Sequence, residues 1–370
     1  MEKVEITIIG AGVVGLAMAA EIASKEILVI ERHERFGQET SSRNSEVIHS
    51  GIYYPKDSLK AELCVEGNQL LYQLCTHHQI PYQKIGKLIV ALNNKEVEGL
   101  ETLLARGRDN GVYDLQILSQ KEVRQMEPHI NVSSALWSPS TGIIDTHSLM
   151  KYLETLAKSK GVDFAYGCEV ESIEKKPDGY EVGIRDADGE KFSFLSRIVI
   201  NSAGLWADKV AALAGIDIDT AGYRIHYCKG EYFNLGKDKH KLIHHLIYPP
   251  PTTIGLGIHT VLDLQGRVKL GPNAFYVEKI DYQVEEAHKK DFLESVKPIF
   301  PFVEEADITP DMAGIRPKLQ APEDPVRDFV ISHETALGLP GLINLIGLES
   351  PGLTASLAIA RYVKKMIDRI

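Results

Sequence analysis

Apolar positions along the chain alternate between short β-branched runs and stretches with helical spacing, and this alternation sets out the elements. Val4, Ile6, Ile8 and Ile9 make a strand over 4–9; glycines follow, then good helix formers over 16–24. A second apolar run over 27–30 closes on Glu31, which completes a βαβ unit by period and length. The pattern predicts helices over 59–77 and 96–110, a strand over 87–91, and no series of parallel strands between 59 and 130. Apolar strands resume over 162–166, 170–173, 180–184 and 198–200. Between 223 and 280 short strands alternate with turn residues (Pro249-Pro250-Pro251, Gly255, Gly257, Gly271-Pro272), which predicts an antiparallel sheet. The end returns to strand (342–346), glycine turn and helix (353–367). The expected fold class is α/β, with two domains interleaved in sequence. One is doubly wound and discontinuous, from 1–82, 140–222 and 306–370. The other is α+β on an antiparallel sheet, from 83–139 and 223–305.

With 370 residues, 44% hydrophobic and 25% charged, the chain has the proportions of a water-soluble globular enzyme. A net charge of −10 argues against a broad basic face for nucleic acid. Cys64, Cys75, Cys168 and Cys228 are dispersed without a C-x-x-C pair, so a disulfide framework or structural zinc is not expected and a reducing compartment is. The apolar stretch over 6–20 is broken by Gly10, Gly12 and Gly15 and followed by Glu21, too short for a membrane span. The expectation is a cytoplasmic protein, with peripheral contact to the inner face of a membrane left open.

Gly10-Ala11-Gly12-Val13-Val14-Gly15 fits G-x-G-x-x-G between a strand and a helix. The first glycine permits the tight turn, the second lets backbone approach a pyrophosphate, and the third lets helix pack on strand. Glu31 stands where an acid binds a ribose hydroxyl, and an acid there disfavours a 2′-phosphate. Three more segments favour a flavin dinucleotide over NAD. An apolar strand runs into Ser202-Ala203-Gly204, where a cofactor can lie against backbone. Thr40-Ser41-Ser42-Arg43-Asn44-Ser45 is rich in hydroxyls, and Glu349-Ser350-Pro351-Gly352-Leu353-Thr354 leads into the last helix, whose N-terminus suits developing negative charge.

At these residues the sequence resembles the D-amino-acid-oxidase-like superfamily of FAD oxidoreductases, which includes glycine oxidase, sarcosine oxidase and glycerol-3-phosphate dehydrogenase. Within it the chain is most similar to the L-2-hydroxyglutarate dehydrogenase/oxidase group. The resemblance is carried by 40–54, 138–145, 255–260, 271–273, 314–318 and 349–356. Two features depart from the family pattern: a short turn at Ser24-Lys25-Glu26, and Glu39 where a small residue is expected. The resemblance implies FAD as cofactor, with Arg32 beside Glu31, Val170 and Trp206 joining the glycine turn and the 202–204 segment. It adds His49, Ser50, Gly51 and Arg316 to the cofactor-binding set.

Oxidising a 2-hydroxy acid requires an electron acceptor, a base for the hydroxyl proton and a cation for the carboxylate. FAD meets the first need. Among thirteen histidines, His259 is preferred as base, with His49 packing beside the flavin or orienting substrate. Arg316 is the carboxylate candidate because its fork of donors matches that group; the plainer alternative is a surface pair with Asp311 or Glu323. Tyr54, Lys229 and Asn273 are assigned to the distal end of the substrate. Eight Lys/Arg against four acids over 221–280 hint at attraction of an anion. His240, His244 and His245 could suggest metal ligands, but no metal is expected. His49 could instead carry a covalent flavin. The implied reaction is oxidation of a small 2-hydroxy acid, chiefly L-2-hydroxyglutarate. Its electrons pass to oxygen, a quinone or another flavoprotein. Competing readings are an amino-acid or N-methyl-amino-acid oxidase, and a flavin sensor without turnover.

Overall fold

The computed structural model describes residues 2–22, 26–251 and 256–370; Ser24, Lys25 and Gly255 lie outside the described residues. The chain divides into two compact units, Met1–Ser42, Thr146–Tyr227 and Arg316–Ile370 in the first, Arg43–Asp145 and Cys228–Ile315 in the second.

In the first unit the opening pattern becomes β1 (Lys3–Ile9), α1 (Val13–Ile22) and β2 (Ile27–Glu31). β1 lies between β2 and the strand Lys191–Asn201, parallel to both, with Ile8 opposite Val29 on one side and Ile200 on the other. A strand paired on both edges in a parallel sheet is apolar on both faces, which is why Ile6, Ile8 and Ile9 run together rather than alternate. Asp163–Tyr166 extends the sheet beyond β2. Lys191–Asn201 is long enough to pair first with Gly179–Arg185 and then with Leu342–Ile346. α1 is buried almost all round, through Val13, Leu16, Met18 and Ile22, because it packs against the helices Thr146–Ser159 and Gly352–Ile367. The helix Thr146–Ser159, not among the expected elements, has an amphipathic pattern (Leu149, Met150, Leu153, Ala157 buried).

Among the described residues the second unit holds three sheets. One contains His259–Leu262, Val268–Gly271 and His226–Leu235, antiparallel as expected. Leu246–Tyr248 does not join it: this strand pairs in parallel with Lys87–Ala91 in a separate four-stranded sheet. Pro249, Pro250 and Pro251 end it, since prolines offer no N–H to continue a ladder.

Residues 43–82, expected in the doubly wound domain, belong to the second unit. The helix Leu59–His78 explains this. A Cβ on Gly51 would sit 2.6 Å from Val65 Cγ2, and Asn68 and Tyr72 both donate to the Ser140 carbonyl at 3.0 Å. The boundaries expected after 222 and 305 lie later in the chain, inside the single long strands His226–Leu235 and Ile308–Lys318.

Candidate active site

The glycine turn in the first unit leaves no room for larger residues. Gly10 has φ +101°, and a Cβ there would stand 2.7 Å from the Ser202 carbonyl oxygen; on Gly15 it would stand 2.0 Å from the Gly10 carbonyl oxygen. Ser202 locks the adjoining strand end, its N–H and hydroxyl both donating to the Ile9 carbonyl at 2.9 Å. The Ser41 hydroxyl accepts from the Val13 N–H at 3.0 Å, at the positive end of α1. Glu31 is nearly buried and holds the turn itself: one carboxylate oxygen accepts from the Ala11 N–H at 2.8 Å, the other from the His33 N–H at 2.9 Å. Beside Gly204 and Gly352 a Cβ would meet nothing within 4 Å, so backbone faces open space at both places.

Around β2 the structure brings Arg32 and Trp206 together, the guanidinium 4.3 Å over the indole ring. Glu39 is their anchor: it accepts from Trp206 Nε1 at 3.2 Å and meets His33 Nε2 at 3.2 Å. The residue that departs from the family pattern thus has a definite structural job. Val170 sits at the start of Glu169–Lys176, next to a bulge, while Cys168 donates its N–H to the Glu31 carbonyl at 3.0 Å. Glu349 approaches Lys318 at 3.8 Å with both side chains nearly buried, a partner the sequence does not reveal. Arg316 is half-buried on Ile308–Lys318. Asp311, its supposed surface partner, is instead engaged by Lys269 at 2.6 Å and Asn234 at 2.8 Å.

In the second unit His259 opens its strand almost completely buried. Its Nδ1 lies 2.7 Å from the Gly257 carbonyl, which assigns the ring proton to Nδ1 and puts the basic lone pair on Nε2. Gly257 adopts φ +70° to make that contact. The His259 ring stacks on Tyr248 at 3.7 Å. The His49 backbone carbonyl accepts from Asn68 Nδ2 at 2.9 Å, and its ring Nδ1 is buried although part of the residue reaches the surface. Burial, then the Lys87 and His259 charges, hold His49 well below the ordinary histidine range. Lys87, expected only as the first residue of a strand, is fully buried in this cluster.

Other expected residues do not converge here. Asn273 is committed to Glu231, accepting from its N–H at 2.7 Å and donating to its carboxylate at 3.1 Å. Lys229 is buried between Glu231 (3.6 Å) and Asp281 (3.4 Å), and His288 Nδ1 meets Glu231 at 2.5 Å. Lys229 and Asn273 thus both border the buried Glu231 carboxylate. Ser50 is buried and accepts from the Ser138 hydroxyl at 2.9 Å, and Gly51 packs on the helix Leu59–His78. The Tyr54 carbonyl accepts from Asn110 Nδ2 at 2.9 Å. The hydroxyl-rich run divides: Thr40, Ser41 and Ser42 form a short 3-10 turn in the first unit, whereas Arg43, Asn44 and Ser45 belong to the second. Arg43 lies 4.0 Å over the Tyr282 ring, Asn44 Oδ1 accepts from the Glu46 N–H at 2.6 Å, and Ser45 shares a 2.7 Å bond with the Tyr232 hydroxyl. His244 and His245 both donate backbone N–H to the buried Glu127, at 2.8 and 2.7 Å, and no cluster that could hold a metal occurs among the described residues. The basic excess over 221–280 is largely met by local acids: Lys241 by Asp238, Arg267 by Asp263, Lys269 by Asp311.

Residues 5–366 match the family model described as FAD dependent oxidoreductase. The chain belongs to this family. It is 39% identical to a protein named L-2-hydroxyglutarate dehydrogenase, mitochondrial, from Arabidopsis thaliana, over 98% of this chain and 83% of that one. A protein of the same name from Caenorhabditis elegans is 32% identical over 98% and 93%. Among solved structures, the dithionite-reduced L-alpha-glycerophosphate oxidase from Mycoplasma pneumoniae with FAD bound superposes with a TM-score of 0.87 at 30% identity, covering 100% of this chain and 95% of that one.

The first unit fits FAD on its own geometry. The Gly10–Gly15 turn, the Ser41 hydroxyl and the N-terminus of α1 offer donors and bare backbone suited to a pyrophosphate. Glu31 keeps lone pairs beyond its two backbone bonds for a ribose hydroxyl. The open space at Gly204 and Gly352 gives a flat group access to backbone.

Proposed function

We propose that the chain oxidises L-2-hydroxyglutarate to 2-oxoglutarate. Bound FAD supplies the two-electron acceptor for this chemistry. His259 accepts the substrate hydroxyl proton at Nε2, and Arg316 offers its planar fork to a carboxylate. The observation that carries the reading is the His259 ring, buried, stacked on Tyr248 and fixed through Nδ1 on the Gly257 carbonyl. A histidine held in one tautomer keeps its basic nitrogen defined, which a proton-abstracting group requires. The choice of L-2-hydroxyglutarate is supported by the names of the relatives at 32–39% identity.

The test is anaerobic mixing of the FAD-loaded protein with single substrates while the yellow absorbance is followed. L-2-hydroxyglutarate is expected to bleach it, and glycine, sarcosine, D-alanine and glycerol 3-phosphate to leave it. Bleaching by the amines alone makes the chain an amine oxidase, and bleaching by glycerol 3-phosphate alone makes it a glycerophosphate oxidase. Reoxidation by oxygen, a quinone analogue or a flavoprotein then ranks the acceptors. Four free cysteines support a reducing compartment such as the cytoplasm, and among the described residues no helix is long and apolar enough to cross a membrane.

A further inference from the structure

We propose that Lys87 is a positioning residue for the base, a buried ammonium that takes up the proton of the cluster so that the His49 and His259 rings stay neutral. The inference rests on the base role given to His259 above. Lys87 begins the strand Lys87–Ala91, has no exposed surface, and its Nζ has no hydrogen-bond partner among the described residues. It lies instead over two aromatic faces, 4.4 Å from the Tyr53 ring centroid and 4.7 Å from that of Tyr248. Tyr248 carries His259 stacked at 3.7 Å, so an ammonium, a phenol and an imidazole follow one another. Aromatic faces stabilise a cation without accepting its protons as an oxygen would.

As a purely structural choice the arrangement is poor. Burying a long cation without an acceptor costs free energy that an apolar side chain of equal length does not incur. Buried, perturbed ionisable groups gather at functional sites for this reason. The surrounding elements present Cys64 from the helix Leu59–His78, His49 after the strand Val47–Ile48, Tyr53 beyond it, Tyr248 and His259. None of these is a carboxylate. Burial pulls the Lys87 ammonium down to about 7, with Cys64 acting weakly in the opposite sense, whereas His49 is held well below the ordinary histidine range. As pH falls, the proton therefore lands on Lys87 first, and its charge then opposes a second proton on His49. Near neutrality the His49 ring therefore stays neutral.

The experiment is NMR titration of histidine and lysine side chains in the FAD-loaded protein, with resonances assigned by His49→Gln and Lys87→Met. In the wild type Lys87 is expected to keep its proton to higher pH than His49. In Lys87→Met the His49 midpoint moves up by about half to one pH unit, and the acid limb of kcat/KM, which the His259 base sets, moves up as well. The melting temperature at pH 7 holds or rises. His49 protonating above Lys87 in the wild type overturns the proposal, as does an unmoved His49 midpoint in the folded variant. If Lys87→Met does not fold, the wild-type order of protonation decides alone. These titrations need no substrate. Failure of L-2-hydroxyglutarate to bleach the flavin therefore counts against the proposed reaction and not against the proton order.

Discussion

Tyr248 and His259 lie face to face, ring centroids 3.7 Å apart and planes inclined by 21°. The stack and the Nδ1 contact to Gly257 define the His259 ring in two independent ways. Replacing it by Asn removes the base while leaving the cradle of the first unit untouched. His259→Asn is expected to lower kcat/KM by about 10²- to 10⁴-fold with FAD still bound. Full turnover in that variant removes His259 as the base.

Arg316→Ala is expected to act mainly on substrate binding. Losing a charge-assisted bond to a carboxylate corresponds to about 1.5–3 kcal/mol, or roughly 10- to 10²-fold in KM. Arg316→Lys recovers only part of this, since an ammonium lacks the planar fork. Steady-state kinetics separate the two parameters, and an unchanged KM in the alanine variant counts against the carboxylate role.

Two glycines of the first unit make a matched pair. A Cβ on Gly15 collides with the Gly10 carbonyl, whereas one on Gly352 meets nothing within 4 Å. Gly15→Ala is expected to lower the melting temperature of the cofactor-free protein. Gly352→Ala leaves it the same or slightly higher, as helical alanine does, yet weakens FAD binding. FAD titration of both variants checks this; undiminished affinity in Gly352→Ala moves the cofactor away from that helix start.

Stability carries a pH signature from the same cluster. Lys87 drops from its ordinary 10.5 to about 7, so between those values the unfolded chain binds a proton that the folded chain does not. The contribution of Lys87 therefore rises with pH from 7 towards 10.5 and is lost as pH falls through that window. His49 adds the same sign below 6.5. Urea midpoints of the wild type are expected to climb from pH 7 to 9 more steeply than those of Lys87→Met, and parallel curves refute the shift.

Glu231 is a buried carboxylate shared by Lys229, Asn273, His288 and the Glu285 N–H. Removing it leaves Lys229 buried with the exposed Asp281 as its remaining carboxylate partner among the described residues. Glu231→Ala is expected to cost about 3–5 kcal/mol. Asn273→Ala costs about 1–3 kcal/mol, because it orphans part of the same carboxylate. Denaturant midpoints rank them, and the reverse order dissolves the assignment of Glu231 as the centre.

Much of the doubly wound half is legible because its signals are local. A glycine turn, a β-branched run and an acid twenty residues beyond Ala11 each depend on neighbouring backbone, and β1, α1 and β2 follow. The second unit is harder to read. Leu246–Tyr248 looks like one more strand of an antiparallel series, yet its partner is Lys87–Ala91, about 160 positions earlier. Lys229 and Asn273 carry the chemistry of a substrate site, and nothing local shows that both meet the buried Glu231, two residues from one and 42 from the other.

The sequence by itself determined the dinucleotide half, the identity of His259 and Arg316 as chemically apt residues, and the family to which the chain belongs. Only the tertiary structure decided that Lys87 is buried against Tyr53 and Tyr248, that Glu39 anchors Trp206, and that residues 43–51 pack with the second unit. The reason is physical. A lysine in a run of apolar strand residues reads the same whether its ammonium reaches water or an aromatic cage, and burial is set by residues far away in the chain.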